Sequence, residues 1–508
     1  MSKPKTFRPW NPEQTLLLPP SPVDWLPENH LVFFLLDLAV ELDLGVIYAI
    51  YQQRDPRGVK AYEPRMMVVL LLYAYCVGLP SSRKIEKACW EDAAFRVLTG
   101  NQQPDHSRIS DFRRVHLDTL AGLFVQVLRL CQKAGLVSLG NVALDGTKMK
   151  ANASKHKAMS HERMLKAEAQ LEAEMAALLR KAELIDVQEN ERYGKDKRGD
   201  ELPPELQRRQ GRIEAIRKAR AELEAEAAAD HAHQRQQQAK EAEQQVAEAE
   251  TSQADAKTKE KAARRAKAAR QRAQTARETA TEKAAATGRQ APELDAKTDP
   301  QAMPSRNLPT DATGNPRGNA QRNFTDPDSH ILKGGDGWIQ GYNCQAAVDG
   351  DHQVIVAVGI SNQASDSSHL LPMVERIVAN TGQLPARLIA DAGYCSTGNI
   401  ETCEQRKLNA YVSTSRQQHG KRPRPSRGPT PRDLDARGRM DRKIRSKAGQ
   451  AIYALRKTIV EPVFGQIKAA RGLDRFLLRG LEKVNGEWHL MAITHNLRKL
   501  HRAALAGA

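Results

Sequence analysis

From the amino terminus to about residue 140, apolar residues recur at helical spacing. Met66, Val69, Leu70 and Tyr73 share one face, and Ile85, Ala88 and Phe95 continue the pattern. The spacing predicts a compact helical domain over 1–140. Gly78 and Pro80 end one helix, Ser81 and Ser82 can cap the next, and Gly100 with Pro104 closes it. At Asn141 the pattern changes to NVALDGTK, a short apolar run read as a strand ending at Asp145. Residues 155–287 are Ala, Glu, Lys, Arg and Gln in mixed order, good helix formers almost without Gly or aromatic residues. Met164, Leu165, Leu171 and Met175 punctuate the first part, whereas from Ala225 to Thr287 the only larger aliphatic residue is Val246. With no sustained heptad in view, this reads as a helical hairpin with a solvated or partly disordered tip, first broken at Pro203 and Pro204, rather than a long two-stranded coiled coil. The Pro-, Gly- and Asn-rich stretch 288–323 reads as a linker.

Strand signals return beyond it. GYNCQAAVD and HQVIVAVGIS, separated by Gly350 and Asp351, predict an antiparallel hairpin. A helix over Leu370–Asn380, the run RLIAD ending at Asp391, and NAYVST follow. A basic loop from Arg416 to Lys447 holds twelve Lys or Arg against three Asp. A helix carrying Glu461 and Lys468, and a last one near Trp488–Leu500, complete the chain. The order implies an α/β fold interrupted by a long helical insertion, with residues 141–154 and 324–508 forming one domain.

The 508 residues carry 78 Lys+Arg against 61 Asp+Glu, a formal charge of +17. So basic a chain calls for a polyanion, and nucleic acid is the usual one. A membrane protein is excluded, because the longest apolar stretch, Met66–Leu79, is too short to span a bilayer. No secretory segment is visible, since TLLL is broken at once by Pro19 and Pro20, so a cytoplasmic location is expected. The six cysteines form no CxxC pair, which argues for reduced thiols rather than a zinc cage or disulfide framework. Basic residues of the helical domain, Arg83, Lys84, Lys87, Arg108, Arg113 and Arg114, could meet DNA or form a solvated helix face.

Candidate chemistry lies in the acids. Asp145 and Asp391 each close a short apolar strand, the place where an open α/β sheet puts its ligand crevice. Two neighbouring carboxylates repel unless a cation lies between them, and Mg2+ (or Mn2+) is the natural one. Glu461, presented by a packed helix, would let two ions share the site, as in-line phosphodiester cleavage requires. Taken singly, each acid is more often a turn former; the three together are not so easily dismissed. Asp366 reads as a helix cap in preference to a further acid, and Trp338 as buried against the sheet in preference to stacking on an unpaired base. His106 and His330 have no partners at metal spacing and read as structural.

These residues resemble the DDE-type insertion-sequence transposases, whose catalytic domain is ribonuclease H-like. LDGTK with Asp145, ADAGYCS with Asp391 and YALRKTIVEPVFGQIK with Glu461 match the three acidic motifs. The last resembles the Tyr-Arg-Glu-Lys signature of one branch, here Tyr453, Arg456, Glu461 and Lys468. The interval from Arg456 to Glu461 is one residue longer than in that signature, and Pro462 places Glu461 at a kink or near a helix start. The stretch GLPSSRKIEKACWEDAAFRVLTG resembles the helical domain that precedes the core. The resemblance implies that Asp145, Asp391 and Glu461 are catalytic and bind two metal ions, and that Arg456, Lys468 and Tyr453 contact DNA. It also implies an enzyme that cuts double-stranded DNA at the ends of its element and joins them to a target, acting as at least a homodimer. A solvated helix face for Arg456 and Lys468, and a core position for Tyr453, stay open on the residues alone. Also open are a nuclease of the same fold without strand transfer, an inactive DNA-binding derivative, and a helical scaffold.

Overall fold

The computed structural model describes residues 21–52, 61–193, 204–252, 255–294, 299–335, 337–415, 425–426, 428, 431 and 433–507. The TLLL segment, Pro203 and much of the basic loop after Ser415 lie outside the described residues. The chain divides into two compact units.

The first unit contains the described residues up to Leu136, with Arg471–Leu473 and the chain from His489 onward. Its helices are α1 (Leu31–Glu41), α2 (Gly45–Gln52), α3 (Pro64–Cys76), α4 (Ser82–Glu91), α5 (Ala93–Leu98), α6 (His106–Val115) and α7 (Leu117–Lys133). Pro64 opens α3 where no backbone bond is lost, and Glu63 accepts from the Met66 amide at 2.8 Å. Every residue from Met67 to Cys76 is buried, as befits a helix apolar all round at the centre of a core. Among the described residues no helix is long and apolar enough to cross a membrane. The caps differ from the expected ones. Ser81 makes no side-chain cap bond, whereas Asp92 and Asp105 accept from the first amides of α5 and α6. Arg113 is not on a solvated face: it is buried and donates to the Pro80 carbonyl at 2.7 Å and the Tyr75 hydroxyl at 3.2 Å.

The second unit, Val137–Ala470 with Asp474–Trp488, is built on a mixed sheet. Its elements run β1 (Val142–Lys150), β2 (Ala158–Ser160), α8 (His161–Tyr193), α9 (Pro204–Thr251), α10 (Ala256–Ala286), β3 (Gln321–Asn323), β4 (His330–Gly334), β5 (Gly337–Asp349) and β6 (Ile355–Ser361). After these come α11 (Leu370–Thr381), β7 (Leu388–Ala390), α12 (Thr397–Gln405), β8 (Ala410–Val412), α13 (Ala436–Arg445), α14 (Lys447–Ile459), α15 (Glu461–Gly465) and α16 (Leu481–Gly507), which ends in the first unit. Sheet order is β4-β5-β1-β7-β8, with β6 also on β5. β1, β5 and β6 pair antiparallel, while β7 and β8 run parallel to β1. β6, β7 and β8 are buried throughout, which is why they read as continuous apolar runs.

The insertion is an antiparallel helical array rooted on the small β2–β3 ribbon. Glu168 and Glu174 of α8 meet Arg217 and Arg209 of α9, and Glu243 of α9 meets Arg270 of α10, so paired positions descend as the chain ascends. α9 and α10 meet along buried alanines: Ala228 and Ala232 against Ala276 and Ala280, with Leu294 beside them. The stretch 288–323 is no free linker. Leu308 and Ala320 pack on Leu223 and Ala227, and Arg322, only 3% exposed, pairs with Glu222 and Glu226 at 2.5 and 2.8 Å. Arg306, also buried, reaches Glu226 at 3.5 Å and the His330 ring at 2.9 Å. Burial and that guanidinium push His330 down to about 4, so it is a neutral structural histidine.

Candidate active site

The strand carrying Asp145 does not stop there. β1 continues to Lys150, because β5 is long enough to pair all nine of its residues. What stops is the pairing on its other side: the parallel register with β7 ends at Leu144 and Ala390. Asp145 and Asp391 therefore each follow the last paired residue of adjacent parallel strands, which places them side by side at the sheet's carboxyl edge. Asp391 Oδ1 accepts from the Gly393 amide at 2.8 Å, capping the short turn Ala392–Tyr394. Asp145 Oδ1 accepts from the Gly146 amide at 2.8 Å.

Glu461 arrives from the other direction. α14 ends at Ile459, and Glu461 is the first residue of α15, with Pro462 supplying a turn that needs no amide there. Arg456, near the end of α14, joins the two arms: Nη1 lies 2.5 Å from Asp145 Oδ2 and Nη2 lies 3.1 Å from Glu461 Oε1. Asp145 and Arg456 are 16% and 15% exposed at the side chain, Glu461 49%. Tyr453, one turn earlier, stands beside Arg456 and Ser413, and burial raises its pKa. Past α15 the helix widens to a π turn, Gln466–Ala470, and from it Lys468 donates to Thr147 Oγ1 at 3.2 Å and the Lys148 carbonyl at 3.1 Å. Such turns re-aim a side chain that a regular helix would direct elsewhere. All six expected residues thus belong to one neighbourhood.

The electrostatics follow from burial and crowding. Burial pushes the Asp145 carboxyl up to about 6; Arg456 and the Gly146 amide oppose the rise, and Asp391 and Asp366 add to it. Burial also raises Asp391, with Asp366 adding and the Gly393 amide, Arg456 and Lys148 opposing. Burial disfavours charge on Arg456, yet the acids around it and Tyr453 outweigh that and raise its pKa. Carboxylate oxygens are the donor type that a hard divalent ion takes, and a guanidinium already lies between two of these carboxylates. Among the described residues, no three acidic, histidine or cysteine side chains converge as one ligand set; Asp145 and Glu461 meet through Arg456.

Two expectations from the sequence are corrected here. Asp366 makes no cap bond; its carboxylate accepts from Asn343 and Gln345 at 2.7 and 2.9 Å and pairs with Lys148 at 3.3 Å. Trp338 is not buried but 61% exposed, because β5 begins beyond the end of β1 and its first residues pair only with β4.

Residues 310–497 match the family described as the transposase DDE domain, and residues 21–115 match a second, described as a transposase domain (DUF772). The chain is an insertion-sequence DDE transposase. Within this transposase the DDE match covers Asp391 and Glu461 but starts after β1, so Asp145 joins them through the sheet register rather than through the matched segment. No curated protein and no solved structure matches the chain.

Proposed function

We propose that this transposase binds the ends of its insertion sequence, cleaves DNA there, and joins the freed 3′ hydroxyl to target DNA. The observation carrying this reading is the register that sets Asp145 beside Asp391, with Glu461 tied to Asp145 by one guanidinium. Three antiparallel strands, β6, β5 and β1, followed by parallel β7 and β8 favour a ribonuclease H-like core. Asp145, Asp391 and Glu461 would hold two Mg2+ or Mn2+ ions. When bound, such ions supply charge stabilisation for in-line displacement at phosphorus.

The chain's own groups set up that displacement. Arg456 offers a planar fork and Lys468 a point charge to the phosphates flanking the cut. Tyr453, bonded to Arg456 and Ser413, presents its hydroxyl near the terminal nucleotide. With Glu461 these residues resemble the Tyr-Arg-Glu-Lys signature, with one more residue between Arg456 and Glu461. In cleavage, water oxygen attacks phosphorus and the 3′ oxygen leaves. In joining, that 3′ hydroxyl attacks a target phosphodiester and displaces its 3′ oxygen, so no covalent protein intermediate forms. Two element ends must meet, which calls for at least a homodimer on double-stranded DNA.

The test is incubation of the full chain with labelled DNA from the flanks of its coding region, with and without Mg2+. Joined products that require Mg2+ are expected. Nicks alone would assign a nuclease without strand transfer, and intact DNA under every metal condition would overturn the enzymatic reading.

A further inference from the structure

Asp366 has a place in this architecture that neither the acidic motifs nor the Tyr-Arg-Glu-Lys signature gives it. It lies between β6 and α11, in the short turn before the helix, yet its side chain ignores that turn. Oδ1 gathers Asn343 Nδ2 at 2.7 Å, Gln345 Nε2 at 2.9 Å and Lys148 Nζ at 3.3 Å. Directly opposed residues of an antiparallel pair share a sheet face. Lys148 opposes Asn343 and Gly146 opposes Gln345, whereas Asp145 opposes Ala346. Asp366 and its donors therefore occupy the face behind the one from which Asp145 meets Arg456.

The chain makes room for it with two glycines. A Cβ at position 146 would stand 2.5 Å from Gln345 Nε2 and 3.0 Å from Asp366 Oδ1, and one at 393 would stand 3.0 Å from Asp391 Oδ1 and 3.2 Å from Asp366 Oδ2. Gln345 also accepts from the buried Tyr394 hydroxyl, at the end of the turn that Asp391 caps. On the other side, the carbonyl of Lys148 accepts from Lys468. One carboxylate thus connects the strand bearing Asp145, the turn bearing Asp391 and, through Lys148, the residue that carries Lys468.

We infer that Asp366 is a positioning residue for the cleavage site, holding the Asp391 turn and the Asp145 strand in fixed relation from behind the sheet. The inference rests on the catalytic reading above for its effect on rate, but not for its effect on the turn. The test uses the full chain with D366N, K148M and the double variant, reading hydrogen exchange over 391–396, melting temperature, DNA affinity and single-turnover cleavage of DNA from the coding-region flanks.

In D366N, exchange in that segment is expected to rise about tenfold, as for a locally opened element. Cleavage should slow by about tenfold or more, as misplacement of reacting groups does, with DNA affinity unchanged and the protein still folded at the assay temperature. K148M should raise exchange less, in the same segment, and serves if D366N does not fold. The double variant should cleave no more slowly than the slower single one, because both changes act through one contact. Unchanged exchange over 391–396 in a folded variant, or rate losses that multiply in the double variant, would overturn the inference. An Asp145→Asn variant that still cleaves would sink the catalytic reading while leaving the exchange result standing.

Discussion

The sheet and the α9–α10 hairpin of the insertion solve opposite packing problems. In and against the sheet, large side chains such as Tyr342 on β5, Tyr394 in the turn after β7 and Trp488 on α16 are wholly buried, and the polar groups near the site each take several bonds. Crowded polar groups with their partners in place are rigid, and that rigidity holds the carboxylates of the proposed site in fixed relation. The hairpin, by contrast, joins helices of 48 and 31 residues through methyl groups. Small side chains let the two backbones approach closely, but each bonded turn gains little buried area, so ion pairs and the root must hold the array in place. One chain thus contains a site fixed by dense contacts and an arm fixed mainly at its base.

That contrast can be broken most forcefully at the base. Arg322→Ala would take the nearest cation from Glu222 and Glu226, leaving them Arg289 at 3.9 Å and Arg306 at 3.5 Å, at a cost of up to about 3–5 kcal/mol, the range for a broken buried pair. The expected result is rapid proteolysis within the insertion, with unit-one helices still resistant; an unchanged digestion pattern would place the anchor elsewhere. Next in size is the seam. Ala280 is fully buried, and Ala280→Leu should force α9 and α10 apart at a cost of about 1–3 kcal/mol, seen by circular dichroism as an earlier loss of helix on heating. A melt identical to wild type would mean that the helices do not rely on close approach.

The smallest effect concerns pH. Burial pushes Asp230 up to about 6, with Glu226 adding to the rise and the Leu308 amide and Arg306 opposing it. A carboxyl raised in the folded state stabilises it fully below about pH 4, and that contribution is lost as pH rises through about 6. Asp230→Asn should therefore raise the melting temperature relative to wild type near pH 7 and make little difference near pH 4. A difference of the same size at both values would rule this group out.

The same contrast explains what could be read from the sequence. β6 and the run ending at Asp391 were legible because a buried strand needs uninterrupted apolar residues, and β5 because Gly350 with Asp351 marks the reversal into β6. Asp145 stood out as an acid following VAL, but the continuation of β1 to Lys150 depends on the length of β5, which no local pattern reports. Asp366 looked like a cap because aspartate before a helix usually is one; its donors Asn343 and Gln345 lie on a strand that reads simply as buried. The alanine seam was hidden for a different reason. Ala266, Ala273 and Ala280 repeat every seven residues and are buried, yet alanine is also the commonest choice for helix propensity, so its spacing does not stand out. Its Pro, Gly and Asn content gave 288–323 the look of a linker, because nothing local reports that Arg306 and Arg322 pair with Glu222 and Glu226 of α9.

The most direct test of the whole account is cleavage of labelled end-containing DNA in Mg2+ by Asp145→Asn, Asp391→Asn and Glu461→Gln, measured beside DNA affinity. Each variant should lose cleavage while binding DNA nearly as well as wild type. A variant that keeps full cleavage would contradict the claim that these three acids form one catalytic site.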